Sequence, residues 1–229
     1  DRYYHLVLLA ENNRGYSNLM KIVSKGFVEG FYYKPRVDLE LLEKYHEGLI
    51  ALSACLAGEV ARFLTRGMYE DAKAAALRYQ DIFGKGNFFL ELQDHGIPEQ
   101  QNVNQQLLKM HRETGIELVA TNDVHYTLAE DAQPHDVLLC LQTGKKLSDE
   151  NRMRYDGGQY YVKSPEEMER LFPYATEALE NTHKIAERCH VEIEFGVTKL
   201  PKFDVPEGYT SWEYLNELCF KGLEERYQP

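Results

Sequence analysis

Along residues 1–127 the chain repeats one theme: a short apolar run, a turn, and then a segment whose apolar residues recur at helical spacing. Tyr4–Ala10 (YHLVLLA), Leu49–Leu52 (LIAL), Asn87–Leu92 (NFFLEL) and Ile116–Thr121 (IELVAT) have the short, continuous apolar character of buried strands. Between them, Leu19, Ile22, Val23 and Phe27 form one helical stripe, and Val60, Phe63 and Leu64 form a second that Gly67 can end. Ala72, Ala75, Ala76, Tyr79, Ile82 and Phe83 make a third, closed by Gly84, and Val103, Leu107 and Met110 a fourth, closed by Gly115. Strands alternating with helices in this way predict an α/β architecture, barrel-like or doubly wound.

After residue 127 the pattern turns helical. Ser164-Pro165-Glu166-Glu167 supplies an N-cap, a proline in the first turn and a capping-box glutamate. A longer helix is predicted from about Thr176 to Arg188, with Leu179, Thr182, Ile185, Ala186 and Cys189 on one face. Leu200–Gly208 (LPKFDVPEG) reads as a linker, and Thr210 with Glu213 repeats the capping-box pattern ahead of a terminal helix carrying Trp212, Leu215, Leu218 and Leu223.

Composition narrows the class. The chain has 229 residues, 43% of them hydrophobic and 28% charged, enough to bury a sizeable core. No apolar run approaches the ~20 residues of a membrane-spanning helix, so no membrane role is expected. There are 26 Lys+Arg against 37 Asp+Glu, a net charge of −11, most of it after residue 127. An acidic surface repels phosphate backbones at long range, so any DNA contact has to be local, metal-assisted or made by other parts of a longer protein. Cys55, Cys140, Cys189 and Cys219 show no CxxC or zinc-ribbon spacing, and with no signal peptide the pattern fits a reducing cytoplasm. The chain opens on Asp1 rather than Met, inside a strand-like run, which reads as an internal fragment.

The strongest local chemistry is Asn122-Asp123-Val124-His125, directly after the fourth strand. In an extended segment a carboxylate and an imidazole two residues apart point to the same side, as two ligands of one divalent metal at a strand end would; the alternative is a capped turn. Cys55 holds the equivalent place after the second strand, either as a ligand or as a small buried hydrophobe. His5, in the first strand, and His95, after the third, carry the same choice between a site and a satisfied core position. The basic concentrations, Lys34-Pro35-Arg36 and the run holding Lys145, Lys146, Arg152 and Arg154, are expected on solvated loops. Those last four are expected outside core ion pairs, where DNA or another domain can meet them. Tyr160-Tyr161 reads as core and rim or as a base-stacking pair, and His135 is assigned no chemistry. Walker, GxGxxG and GxSxG motifs are absent.

Several phrases together resemble the N-terminal region of the bacterial replicative DNA polymerase III alpha-subunit family. They include YHLVLLAENN at Tyr4–Asn13, EGFYYKPRVD at Glu29–Asp38, GLIALSACLAGEV at Gly48–Val60, FFLELQDHG at Phe88–Gly96, LVATNDVHY at Leu118–Tyr126 and YYVKSPEEM at Tyr160–Met168. The resemblance implies a PHP domain over residues 1–195, a distorted (β/α)7 barrel present in part. Residues 196–229 would be a linker and a mainly helical approach to the polymerase palm. It makes His5 (YH), Cys55 (SxC), and Asp123 and His125 (NDxH) ligands of a divalent metal, Zn²⁺ or Mn²⁺. His95 is left to support that site or face substrate, and Mg²⁺ belongs to the palm, outside this chain. The family's HxH motif and several further ligands would precede anything here, so the chain by itself is expected to be inert. The implied activity is DNA-directed DNA polymerisation with a metal-dependent 3′–5′ exonuclease site, in the company of DNA and other replisome subunits. Two competing readings are a silent scaffold or docking domain of the same polymerase, and a stand-alone PHP phosphatase. The helical extension from His135 onward speaks against the phosphatase.

Overall fold

In the computed structural model, which describes residues 3–227, the four apolar runs pair into one mixed sheet in the order β1-β2-β3-β4. The strands are β1 (Val7–Ala10), β2 (Leu49–Leu52), β3 (Phe88–Leu92) and β4 (Leu118–Ala120). β2, β3 and β4 run parallel, while β1 is antiparallel to β2, with Val7 opposite Leu52 and Ala10 opposite Leu49. This arrangement places the site. The C-terminal ends of the parallel strands share one rim, and because β1 is reversed its leading residue, His5, joins them there through a bridge to Gly58. The described strands form an open sheet with β1 and β4 on its edges rather than a closed barrel.

Helices α1 (Asn13–Val28) and α2 (Leu39–Tyr45) connect β1 to β2, α3 (Glu59–Leu64) and α4 (Tyr69–Phe83) connect β2 to β3, and α5 (Pro98–Thr114) connects β3 to β4. α6 (Ala132–Thr143), α7 (Pro165–Leu171) and α8 (Thr176–Arg188) follow. Successive strand residues face opposite sides, and both sides are covered. Leu49, Ala51, Phe88, Leu90, Leu92, Leu118 and Ala120 pack with Ala72, Ala76, Leu107 and Phe172, whereas Ile50, Leu52, Phe89 and Val119 pack with Ile185 of α8. Burial on two faces is why the runs are continuously apolar, and each fully buried aliphatic or aromatic side chain contributes about 1.5–3 kcal/mol. Asn181, buried on α8, donates from Nδ2 to the Leu118 carbonyl at 2.8 Å and so fixes the helix against β4.

The expected α1 stripe is corrected in part. Ile22 is buried, but Val23 and Phe27 are 49% and 57% exposed. They line an open cavity of about 910 Å³ with Leu6, Leu8 and Val37. The helix turns Gly15, Asn18, Ile22 and Gly26 inward instead, since close approach to the Gly48 backbone requires a residue without Cβ at position 15. The capping box at Ser164 and Glu167 is formed in both directions. The chain divides after Glu192 into two compact units, the second running from Ile193 and carrying α9 (Ser211–Tyr227). In that unit Glu213 Oε2 accepts from the Thr210 amide at 2.9 Å, and Thr210 Oγ1 accepts from the Glu213 amide at 3.3 Å. Among the described residues no helix is long and apolar enough to cross a membrane.

Candidate metal centre at the strand ends

Past β2 the backbone turns sharply through Ser53-Ala54-Cys55, with Ala54 in the left-handed region at φ 64°. The loop closes on Gly58, whose amide donates to the Cys55 carbonyl at 2.8 Å. A Cβ at Gly58 would lie 2.1 Å from the Ser53 carbonyl oxygen, so only glycine fits. The His5 amide donates to Ala57 O at 3.1 Å, and this brings His5 Nδ1 to 3.5 Å from Cys55 Sγ. Burial pushes the Cys55 thiol pKa up, opposed by a backbone hydrogen bond at Ala57, and the carboxylates of Asp123 and Glu91 push it further up.

Past β4, Asp123 takes φ 45°, so the backbone of the Asn122–His125 segment bends there and is not an extended strand. The expected same-side pairing by extended geometry is therefore corrected. His125 Nδ1 lies 2.8 Å from the carbonyl oxygen of Asp123 and 3.9 Å from its Oδ1. A carbonyl can only accept, so Nδ1 carries the proton and Nε2 presents its lone pair, which accepts from the Tyr155 hydroxyl at 2.7 Å. The Asn122 side chain donates to Tyr161 O and accepts from Lys163 Nζ at 3.0 Å, and the His125 amide donates to Tyr160 O at 2.8 Å. These bonds strap the segment to residues 160–163.

His95 faces inward, 3% exposed. Its Nε2 donates to the Asn122 carbonyl at 2.7 Å, its Nδ1 accepts from Gln100 Nε2 at 2.8 Å, and its ring stacks on Tyr160 at 4.0 Å. Burial holds its pKa below the usual imidazole value, against the carbonyl of Asn122 and the charge of Asp123. A neutral His95 thus pins the turn from beneath.

Sequence reasoning missed three contributors. Glu91, 6% exposed at the end of β3, lies between the two loops; Tyr155 and His135 build a wall of rings beside His125, with centroids 4.3 and 5.9 Å from it. Only Glu91 left a signal in the sequence, as an acidic residue inside the apolar run FFLEL.

The basic loop divides. Arg152 is corrected: its side chain is 5% exposed and bonds both oxygens of Asp136, Nη2 to Oδ2 at 2.7 Å, so it fastens the loop to α6 instead of facing a partner. Arg154 Nη2 donates to Asp149 O at 3.0 Å. Lys145 and Lys146 are exposed, and their hydrogen bonds run through backbone amides, to Cys140 O and Asp149 Oδ2.

The rim thus gathers imidazole, thiol, carboxylate and imidazole, a donor set that fits a borderline divalent cation in kind. Among the described residues no Lys or Arg forms an ion pair with Asp123 or Glu91, and burial pushes the Glu91 carboxyl pKa up. In number the fit is incomplete. The side chains form two pairs, His5 with Cys55 and Asp123 with His125, and no group of three or more His, Cys, Asp or Glu converges among the described residues.

Comparison with known proteins bears out the resemblance read from the sequence phrases. Residues 1–95 match the PHP domain family. The chain is 46% identical over 227 residues to DNA polymerase III subunit alpha of Treponema pallidum (strain Nichols), covering 99% of this chain and 19% of that protein. It is 48% identical over 227 residues to the same subunit of Borreliella burgdorferi, and 45% identical over 231 residues to that of Thermus aquaticus, covering 98% of this chain each time and 20% and 19% of the relatives. The chain spans about a fifth of the length of these curated relatives.

Proposed function

We propose that this chain is a segment of a bacterial replicative DNA-directed DNA polymerase, and that its strand-end rim is one part of a PHP-type divalent-cation site acting on DNA 3′ ends. The observation that carries this reading is similarity at 45–48% identity along 98–99% of the chain to DNA polymerase III subunit alpha. In this reading the four-stranded sheet belongs to a larger distorted (β/α)7 barrel, and residues 196–229 lead toward a palm domain that uses Mg²⁺. The longer protein works on DNA with other replisome subunits in the cytoplasm.

His5, Cys55, Asp123 and His125 would hold Zn²⁺ or Mn²⁺, which supplies an activated water and stabilises charge on phosphoryl oxygens. The chain's own residues do the rest. His95 and Asn122 fix the turn that carries Asp123, the Asp123 carbonyl holds the proton on His125 Nδ1, and the Tyr155–Tyr160 wall limits water on one side.

A second reading, in which the domain serves as scaffold or docking surface, draws support from the two separate donor pairs. A 3′-labelled primer assay with Mn²⁺ or Zn²⁺ separates the two. Activity in the longer protein that falls with Asp123→Asn, and is missing from this chain alone, supports the cation site. Equal activity with and without the Asp123 carboxylate leaves the rim as scaffold. Robust hydrolysis by the chain alone refutes the need for ligands from outside it.

A further inference from the structure

We infer that Glu91 is a positioning residue for this rim: its buried carboxyl group brackets the Cys55 loop to the Asp123 segment. The inference rests on the proposed cation site. β3 is flanked by β2 and β4, so a side chain at its end can reach both neighbours. Glu91 reaches both. Its Oε2 accepts from the Ala54 amide at 3.0 Å, one residue before Cys55, and its Oε1 accepts from Thr121 Oγ1 at 2.5 Å, two residues before Asp123. Gln93 Nε2 also donates to Oε1, at 2.8 Å, and the Glu91 amide donates to Ser53 Oγ at 2.8 Å.

The chemistry of these bonds selects a carboxylate. Every partner of the two oxygens is a donor. An amide of the same shape would have to turn its NH₂ toward either Ala54 N–H or the Thr121 and Gln93 donors, leaving a buried donor unpaired. Burial pushes the Glu91 carboxyl pKa up, opposed by the hydrogen bonds from Thr121, Gln93 and the Ala54 amide, so the three donors are what hold its oxygens as acceptors. The bracket points toward the rim between the two loops. Ala54 in the left-handed region is a backbone state that its surroundings must hold, and the Glu91 oxygen is the acceptor its amide meets there.

The test compares the wild-type full chain with Glu91→Gln, reading Mn²⁺ affinity by calorimetry and, in metal-free protein, iodoacetamide labelling of Cys55 by peptide mass spectrometry. Buried Cys140 serves as the internal control. The expected result is a Mn²⁺ affinity weaker by about 10- to 100-fold and several-fold faster labelling of Cys55, with Cys140 unchanged. A general loosening of the core would expose both thiols and overturns the bracket. Unchanged Cys55 labelling in a folded variant overturns it too, and faster labelling with unaltered Mn²⁺ affinity overturns the link to the cation. If the wild-type chain binds no Mn²⁺, the cation site fails as a property of this chain while labelling still decides the bracket. Should Glu91→Gln not fold, Thr121→Val removes a single donor and carries the same two readouts.

Discussion

His5 Nδ1 and Cys55 Sγ, fifty residues apart in the chain, lie 3.5 Å apart on the strand-end rim. The contact exists because β1 runs against its neighbours. Were β1 parallel to β2, its leading end would sit at the opposite ends of the strands, away from the loop that carries Cys55. Strand direction thus decides which side chains meet on this rim, and the Ala57–Gly58 backbone that receives His5 shapes the contact as much as the thiol does.

The raised Cys55 thiol pKa has a definite sign. A thiol that keeps its proton longer in the folded chain contributes stability that is fully present below the unfolded value of ~8.5 and is lost as pH rises through the higher native value. Alkylation of Cys55 in metal-free protein should therefore rise at higher pH than that of a free cysteine peptide. Coincident profiles would contradict the effect of burial.

Gly58→Ala should damage fold and site together. The added Cβ meets the Ser53 carbonyl at 2.1 Å, so the loop has to open, at a cost of about 1–3 kcal/mol in denaturant unfolding. The same opening draws His5 away from Cys55, and zinc affinity should fall with it. A variant with wild-type stability would show that the loop is softer than its contacts imply.

Much of this fold was legible in the sequence, because the signals concerned are local. The four apolar runs became the four strands, and Thr176–Arg188 became a helix with the predicted ends. What escaped was non-local or depended on a single backbone angle. The i, i+2 rule for Asp123 and His125 assumes an extended chain, and φ 45° at Asp123 breaks it while a carbonyl hydrogen bond rejoins the pair by another route. Arg152 reads as a loop cation until Asp136, sixteen residues earlier, takes both its terminal nitrogens. His135 reads as an ordinary helical residue until Tyr155 and His125 close around it.

That Arg152–Asp136 pair gives a second pH dependence, opposite in sign. Hydrogen bonding by Arg152 holds the Asp136 carboxyl below its usual value, so the stabilisation is present above about pH 4 and is lost as pH falls through the depressed native value. Asp136→Asn should make residues 145–155 sensitive to limited proteolysis at neutral pH, as wild type becomes in acid. Lys145→Ala with Lys146→Ala should leave thermal stability within about 0.5 kcal/mol, because no side-chain bond is lost.

The last prediction concerns the nitrogen that a cation would need. With its proton held on Nδ1 by the Asp123 carbonyl, His125 aims the Nε2 lone pair outward, the orientation of a metal-binding imidazole, yet the Tyr155 hydroxyl donates into that lone pair at 2.7 Å. A cation binding His125 must first displace this hydrogen bond, whose net worth is about 1 kcal/mol. Tyr155→Phe removes the hydroxyl but keeps the ring, which lies 4.3 Å from His125, 4.9 Å from Tyr160 and 5.2 Å from His135, so the aromatic wall should stay in place. Zinc affinity measured against a chromophoric chelator should then rise by about fivefold, with His125→Ala abolishing the gain. Weaker binding by Tyr155→Phe would mean that the hydroxyl helps to hold the cation instead of guarding its place, and no response to His125→Ala would take His125 out of the ligand set.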